Sequence, residues 1–177
     1  MDFIAFDFET ANASRNSAVS LALTVVRNDQ IVDEFYSLLN PQTDFHWRNV
    51  QIHGIHAADV VDAPTFAELW PTIAPFFAPD KLVIAHNAAF DNSVLKASLL
   101  ANSIHIPSYL SLDTVRVAKK VFPNLANHKL NTVADYLQIP LDHHHNALDD
   151  SVAAANILLN INQQFGPNIV QPFIKVI

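Results

Sequence analysis

The chain has 177 residues, half of them apolar and 15% charged, which fits one ordinary domain with a sizeable core and argues against disorder. Its formal charge of −7 speaks against a protein that coats nucleic acid by neutralising phosphates, and the lack of cysteine excludes disulfides, thiolate zinc sites and a cysteine nucleophile, leaving oxygen and imidazole to hold any metal. No apolar run approaches the roughly 20 residues of a membrane-spanning helix, and the opening MDFIAFDFET lacks the basic region and cleavage site of a signal peptide, so the expectation is a cytoplasmic chain with no membrane partner.

Residues 2 to 9 alternate Ile4, Phe6 and Phe8 with Phe3 and Ala5, the pattern of a central strand covered on both faces, interrupted by Asp7 and Glu9. Residues 19 to 26 and 31 to 39 read as two further strands joined at Asn28-Asp29, giving an antiparallel meander. Residues 40 to 64 read as a loop. A helix follows with Thr65 as N-cap and Glu68 three residues later, made irregular by Pro71 and Pro75. A short apolar strand over residues 81 to 85 runs into HNAAFD and a helix reaching about Asn102, the strand-then-helix order of an α/β domain. Residues 109 to 112 add a fifth strand, and helices follow over 114 to 121, 130 to 137 and 147 to 165. The ending IVQPFIKVI fits an edge strand, a docked tail or a partner-binding segment equally well.

Residues two apart on a strand share a face, so Asp7 and Glu9 project side by side from an apolar strand. Burying unpaired like charges is costly, so the pair needs a cation, a proton or, if the strand ends at Phe6, an exit to water. Asp91 falls in a first helical turn, with Val94, Leu95, Ser98 and Leu99 on its side; stabilising the helix dipole is the competing role. Asp150 shares its helix side with Ala153, Ala154, Ile157 and Ile161, whereas Asp149 sits with Asn156, Asn160 and Gln163, so Asp150 is the aspartate predicted to face inward. The tract HHHNALDD offers His143, His144 and His145 as a general base, a solvated loop or an adventitious site for transition metals. Arg116, Lys119, Lys120 and Lys129 offer contacts to a phosphate backbone, but a solvated cationic helix face is the favoured reading.

The set Asp7-Phe8-Glu9-Thr10, His86-Asn87-Ala88-Ala89-Phe90-Asp91 and His145-Asn146-Ala147-Leu148-Asp149-Asp150 resembles, in order, the three motifs of the DEDDh, or DnaQ-like, 3′–5′ exonuclease family. His53-Gly54-Ile55, Pro64-Thr65-Phe66, Asp113-Thr114 and His128-Lys129-Leu130 are similar to parts of its branch typified by the epsilon subunit of DNA polymerase III. The resemblance implies a single ribonuclease H-like α/β domain, a five-stranded mixed sheet flanked by helices, over residues 1 to 177. It implies two divalent ions, Mg²⁺ or Mn²⁺, with Asp7 shared, Glu9 and Asp150 completing one site and Asp91 serving the other through water. Hard oxygen ligands suit both ions, and two ions about 4 Å apart can activate a water and stabilise a leaving oxygen. By the same resemblance His145 is the base, and Thr10, Ile52, His53 and Phe90 meet the terminal nucleotide. The implied substrate is the 3′ end of single-stranded or frayed DNA, with RNA the runner-up. The sequence ends soon after the third motif, so the nuclease is expected to be freestanding or to meet a polymerase through other contacts. A non-catalytic binding module and a paired-acid glycosidase are the competing classes; the latter has no use for four acids and a histidine.

Overall fold

The computed structural model describes all 177 residues. β1 (Phe3–Thr10), β2 (Ala18–Arg27) and β3 (Gln30–Leu38) form the expected antiparallel meander. Asn28 and Asp29 both take positive φ, 50° and 61°, a conformation that short polar side chains tolerate, so the hairpin closes without glycine. β4 (Leu82–Ala85) runs parallel to β1, and β5 (Leu110–Asp113) runs parallel to β4.

The sheet has six strands rather than five, in the order β3-β2-β1-β4-β5-β6. The sixth, β6 (Lys175–Val176), pairs antiparallel with β5 and resolves the ambiguous ending as an edge strand. Two residues are too few to display alternation, which is why the pattern alone did not separate the alternatives. A second correction falls in residues 40 to 64, which contain α1 (Trp47–His53) and a 3₁₀ turn, Ala57–Val60. α1 buries none of its residues and so has no apolar stripe to detect; its ends hold it instead. The His46 imidazole accepts from the Arg48 N–H, and Gly54, at φ 75°, turns the chain out while its N–H donates to the Val50 carbonyl.

α2 (Phe66–Ile73) opens with the predicted reciprocal cap, in which the Thr65 N–H donates to the Glu68 carboxylate at 2.8 Å. Pro71 lies inside it, and a 3₁₀ turn, Ala74–Phe76, follows. α3 (Ala88–Ala101), α4 (Thr114–Val121), α5 (Leu130–Tyr136) and α6 (Ala147–Phe165) lie where the sequence places them, within a residue or so.

The period-two pattern of β1 divides the core. Ile4, Phe6 and Phe8 pack with α2 and α3, while Phe3 and Ala5 pack with α4, α5 and α6. α6 lies across β1 and β2, where the buried small residues Ala153, Ala154 and Ala155 permit close approach. A buried bond of 2.8 Å between the Ser151 and Thr24 hydroxyls fixes its start over β2. Phe6 is fully buried, edge-on to Phe8 and Phe77 at 6.0 and 5.6 Å. Phe6→Ala is therefore expected to cost about 3–5 kcal/mol in urea unfolding, whereas Val32→Ala on exposed β3 should stay within about 0.5 kcal/mol.

Candidate active site

Asp7 and Glu9 continue the Phe3/Ala5 face of β1, so the strand that fills the core presents two acids toward the start of α6. β1 extends beyond its pairing with β4, which covers Ile4–Val83 and Ala5–Ile84. Past that point the Phe8 N–H donates to Asp91 Oδ1 at 3.1 Å, so a carboxylate takes the place of a neighbouring strand. Asp91 is 1% exposed in the first turn of α3, whose N-cap, Asn87, sits at φ 79°. The Asn87 N–H donates to Asp113 Oδ1, and that same oxygen accepts from the Val115 N–H at the start of α4.

Asp150 is 5% exposed in the first turn of α6, while Asp149 lies at the rim beside His143, at 3.1 Å. Helix phase thus distinguished the inward aspartate correctly. Ligand oxygens of Asp7, Glu9 and Asp150 all lie within 4.8 Å of one another. The salt bridges of the chain include no lysine or arginine partner for any of the four acids. Burial, followed by repulsion from Asp150 and Asp91, pushes Glu9 up to about 8. Burial also drives Asp91 to about 8 despite the Phe8 bond, and raises Asp7 well above the usual range, with Asp91, Glu9 and Asp150 adding repulsion. Asp150 is raised by burial but held back by His144.

His144, rather than His145, touches the cluster through its side chain, with Nδ1 at 2.9 and 3.1 Å from the two Asp150 oxygens. His145 donates its backbone N–H to Asp150 Oδ2 at 3.1 Å, takes φ 71°, and stacks its ring on His144 at 3.9 Å. Burial and the neighbouring His144 lower the His145 pKa below the ordinary histidine value.

A cleft of ≈ 650 Å³ opens beside the acids, walled by Asp7, Asp150, His144 and His145 on one side and by His86, Lys119, Lys129 and Asn131 among others. His86 Nε2 donates to the His128 carbonyl at 2.9 Å, and its Nδ1 faces the Thr114 hydroxyl at 2.8 Å. A carbonyl only accepts, so Nε2 carries the proton and the imidazole ties the loop before Lys129 to β4. Lys119 and Lys129 are exposed, as a solvated face predicts, and they also line this cleft. Their approach depends on how α4 and this loop dock, a tertiary fact with no local signature. Arg116 lies over Phe173 at 5.8 Å, away from the cleft walls.

Thr10, Ile52, His53 and Phe90 lie outside those walls. The Thr10 carbonyl accepts from Asn49 Nδ2 at 2.9 Å and faces His53 Nε2 at 3.2 Å, which docks α1 on the strand end. Ile52 is exposed on α1, and His53, lowered in pKa chiefly by burial, is near enough to His145 to be lowered further by it. Phe90 is half-buried against the core, with the Arg15 guanidinium over its ring at 4.4 Å.

Acids from one strand and two helices, converging at the C-terminal edge of a mixed sheet, define an α/β nuclease domain of the ribonuclease H-like class. The sequence pattern of the Exonuclease (RNase_T) family matches residues 4–158, and the chain belongs to that family, in its DnaQ-like branch. The DNA polymerase III PolC-type protein of Caldanaerobacter subterraneus subsp. tengcongensis is 31% identical over 162 residues, an alignment spanning 90% of this chain and only 11% of that protein. Exonuclease X in complex with 5′ overhanging duplex DNA superposes with a TM-score of 0.77 at 22% identity, covering 93% of both chains. The nuclease domain of 3′hExo, a DEDDh family member bound to rAMP, superposes with a TM-score of 0.78 at 15% identity, covering 93% of this chain and 92% of that one. At those identities the two structures speak for the fold.

The acid cluster fits divalent metal: its oxygens are hard, close together and unpaired by lysine or arginine. Raised acids stabilise the fold fully below their unfolded values near 4, and that contribution is lost as pH rises through about 8. Glu9→Gln is thus expected to make the metal-free protein more stable than wild type at pH 8, on the order of 1–3 kcal/mol, with the gap closing near pH 4. Thermal melts in EDTA measure this, and added Mg²⁺ should raise the wild-type midpoint more at pH 8 than at pH 5.

Proposed function

We propose that the chain is a metal-dependent 3′–5′ exonuclease that releases nucleoside monophosphates from the 3′ end of DNA, acting in the cytoplasm with residues 1 to 177 as one catalytic domain. The observation that carries the reading is the convergence of Asp7, Glu9, Asp91 and Asp150 with no lysine or arginine paired to any of them. Asp7, Glu9 and Asp150 would hold one Mg²⁺ or Mn²⁺, and Asp7 with Asp91 a second. Bound there, the ions would neutralise the cluster, acidify water and stabilise the leaving oxygen.

The remaining roles belong to side chains. His145, whose lowered pKa leaves it neutral at pH 7, takes the proton from the attacking water. Phe90, with Thr10, Ile52 and His53 across the strand end, orients the last nucleotide, an aromatic face being tolerant of base identity. Lys119 and Lys129 on the cleft wall hold phosphates of the retained strand. RNA is the second reading, favoured by the rAMP in the similar nuclease domain of 3′hExo. The PolC-type relative supports a polymerase as a possible partner.

The test is degradation of 3′- and 5′-labelled single-stranded DNA and RNA in Mg²⁺, Mn²⁺ or EDTA. Metal-dependent loss from the 3′ end is expected, abolished by Asp7→Ala and reduced about 10²–10⁴-fold by His145→Ala. Activity of the wild type should fall as pH drops through the lowered His145 pKa. Equal activity in the variants, or no nucleotide release, would leave the binding-module reading in front. Lys129→Ala should raise KM with little change in kcat and flatten the dependence of KM on salt, measured between 50 and 200 mM.

A further inference from the structure

The proposed exonuclease chemistry uses His145 and leaves His144 without a role, yet His144 makes the closest side-chain contact to Asp150. Its Nδ1 spans both carboxylate oxygens at 2.9 and 3.1 Å, and its ring stacks on His145 at 3.9 Å with an interplanar angle of 22°. Ligand atoms of His144, His145 and Asp150 all lie within 4.8 Å of one another. This trio differs in kind from the carboxylate set beside it. Asp7, Glu9 and Asp150 offer only oxygen, which suits Mg²⁺ and Mn²⁺, whereas two imidazoles and one carboxylate suit a borderline ion that accepts four ligands. Both histidines are accessible from the cleft, which leaves water or another small ligand free to complete the shell. Asp150 belongs to both sets and cannot serve both fully.

We propose that His144, His145 and Asp150 form a second metal site, selective for Zn²⁺ over Mg²⁺, whose occupation withdraws Asp150 from the carboxylate cluster and His145 from proton transfer. Zn²⁺ binding requires only the three side chains; the inhibition rests on the exonuclease reading. His143 is excluded from the site because its Nδ1 is directed to Asp149, at 3.1 Å on the exposed rim.

The experiment titrates Zn²⁺ into the full metal-free chain against a chromophoric chelator, for wild type, His144→Gln, His144→Asn and His143→Gln. The wild type and His143→Gln should bind one Zn²⁺ with equal affinity, and either substitution at His144 should weaken binding about tenfold or more. Because the His144 side chain is 32% exposed in the turn before α6, whose start is held by the Thr24–Ser151 bond, both replacements should fold, which circular dichroism checks. In parallel, Mg²⁺-dependent degradation of a labelled oligonucleotide is followed with rising Zn²⁺. The half-inhibitory Zn²⁺ concentration should rise at least tenfold in His144→Gln relative to wild type. Equal Zn²⁺ affinity in wild type and His144→Gln overturns the site. Weakening by His143→Gln as well overturns its assignment to this trio in favour of general binding by the histidine tract. If no protein degrades the oligonucleotide in Mg²⁺, the exonuclease reading fails while the chelator titration still decides the zinc site.

Discussion

Four carboxylates crowd the C-terminal edge of β1, and their mutual repulsion is the constraint on which the rest of the site depends. Each is placed by an element that is stable for other reasons. β1 is anchored by aromatic side chains on one face and by α6 on the other; α3 begins where β4 ends; α6 is fixed by the Thr24–Ser151 bond. The acids cannot move apart without breaking these anchors. Repulsion is therefore relieved locally, by a proton or a cation, and values near 8 for Glu9 and Asp91 express how poorly water alone does it.

The helices soften the problem without solving it. Asp91 and Asp150 both occupy first helical turns, where the dipole favours negative charge, and each accepts a backbone N–H, from Phe8 and from His145. Asp7 and Glu9 have no such terminus, being in mid-strand and late-strand positions. The strand pair is thus the more demanding half of the cluster, and the half for which a divalent ion offers the greater relief.

Legibility from sequence followed the range of the interaction that fixed each feature. Asp150 and Asp149 were separable because helix phase is local: one faces Ala153 and Ile157, the other solvent and His143. Asp7 and Glu9 were legible because their strand is otherwise apolar on both faces. α1 was invisible because it buries nothing, and β6 because two residues carry no period. Lys119 and Lys129 reach the cleft only through the docking of α4 and through the loop that His86 ties by the His128 carbonyl. The motif spacing singled out His145, which lines the cleft, but gave no sign that His144 would take the side-chain contact with Asp150.

That contact follows from the turn before α6. With His145 at φ 71°, the backbone reverses just before the Asn146 cap, so the His145 N–H and the His144 ring both arrive at the same carboxylate. A positive φ in a histidine costs something on the order of 1–3 kcal/mol and persists where surrounding contacts over-determine it. Here the over-determination is the Asp150 carboxylate itself, which accepts from the His145 backbone and contacts the side chain of the preceding His144. The aspartate that helps set the electrostatics of the acid cluster therefore also shapes the turn carrying His145, linking the position of that residue to the state of Asp150. A substitution at Asp150 would loosen this turn as well as remove a carboxylate, so its effects combine two causes that substitution at Asp7 would keep apart.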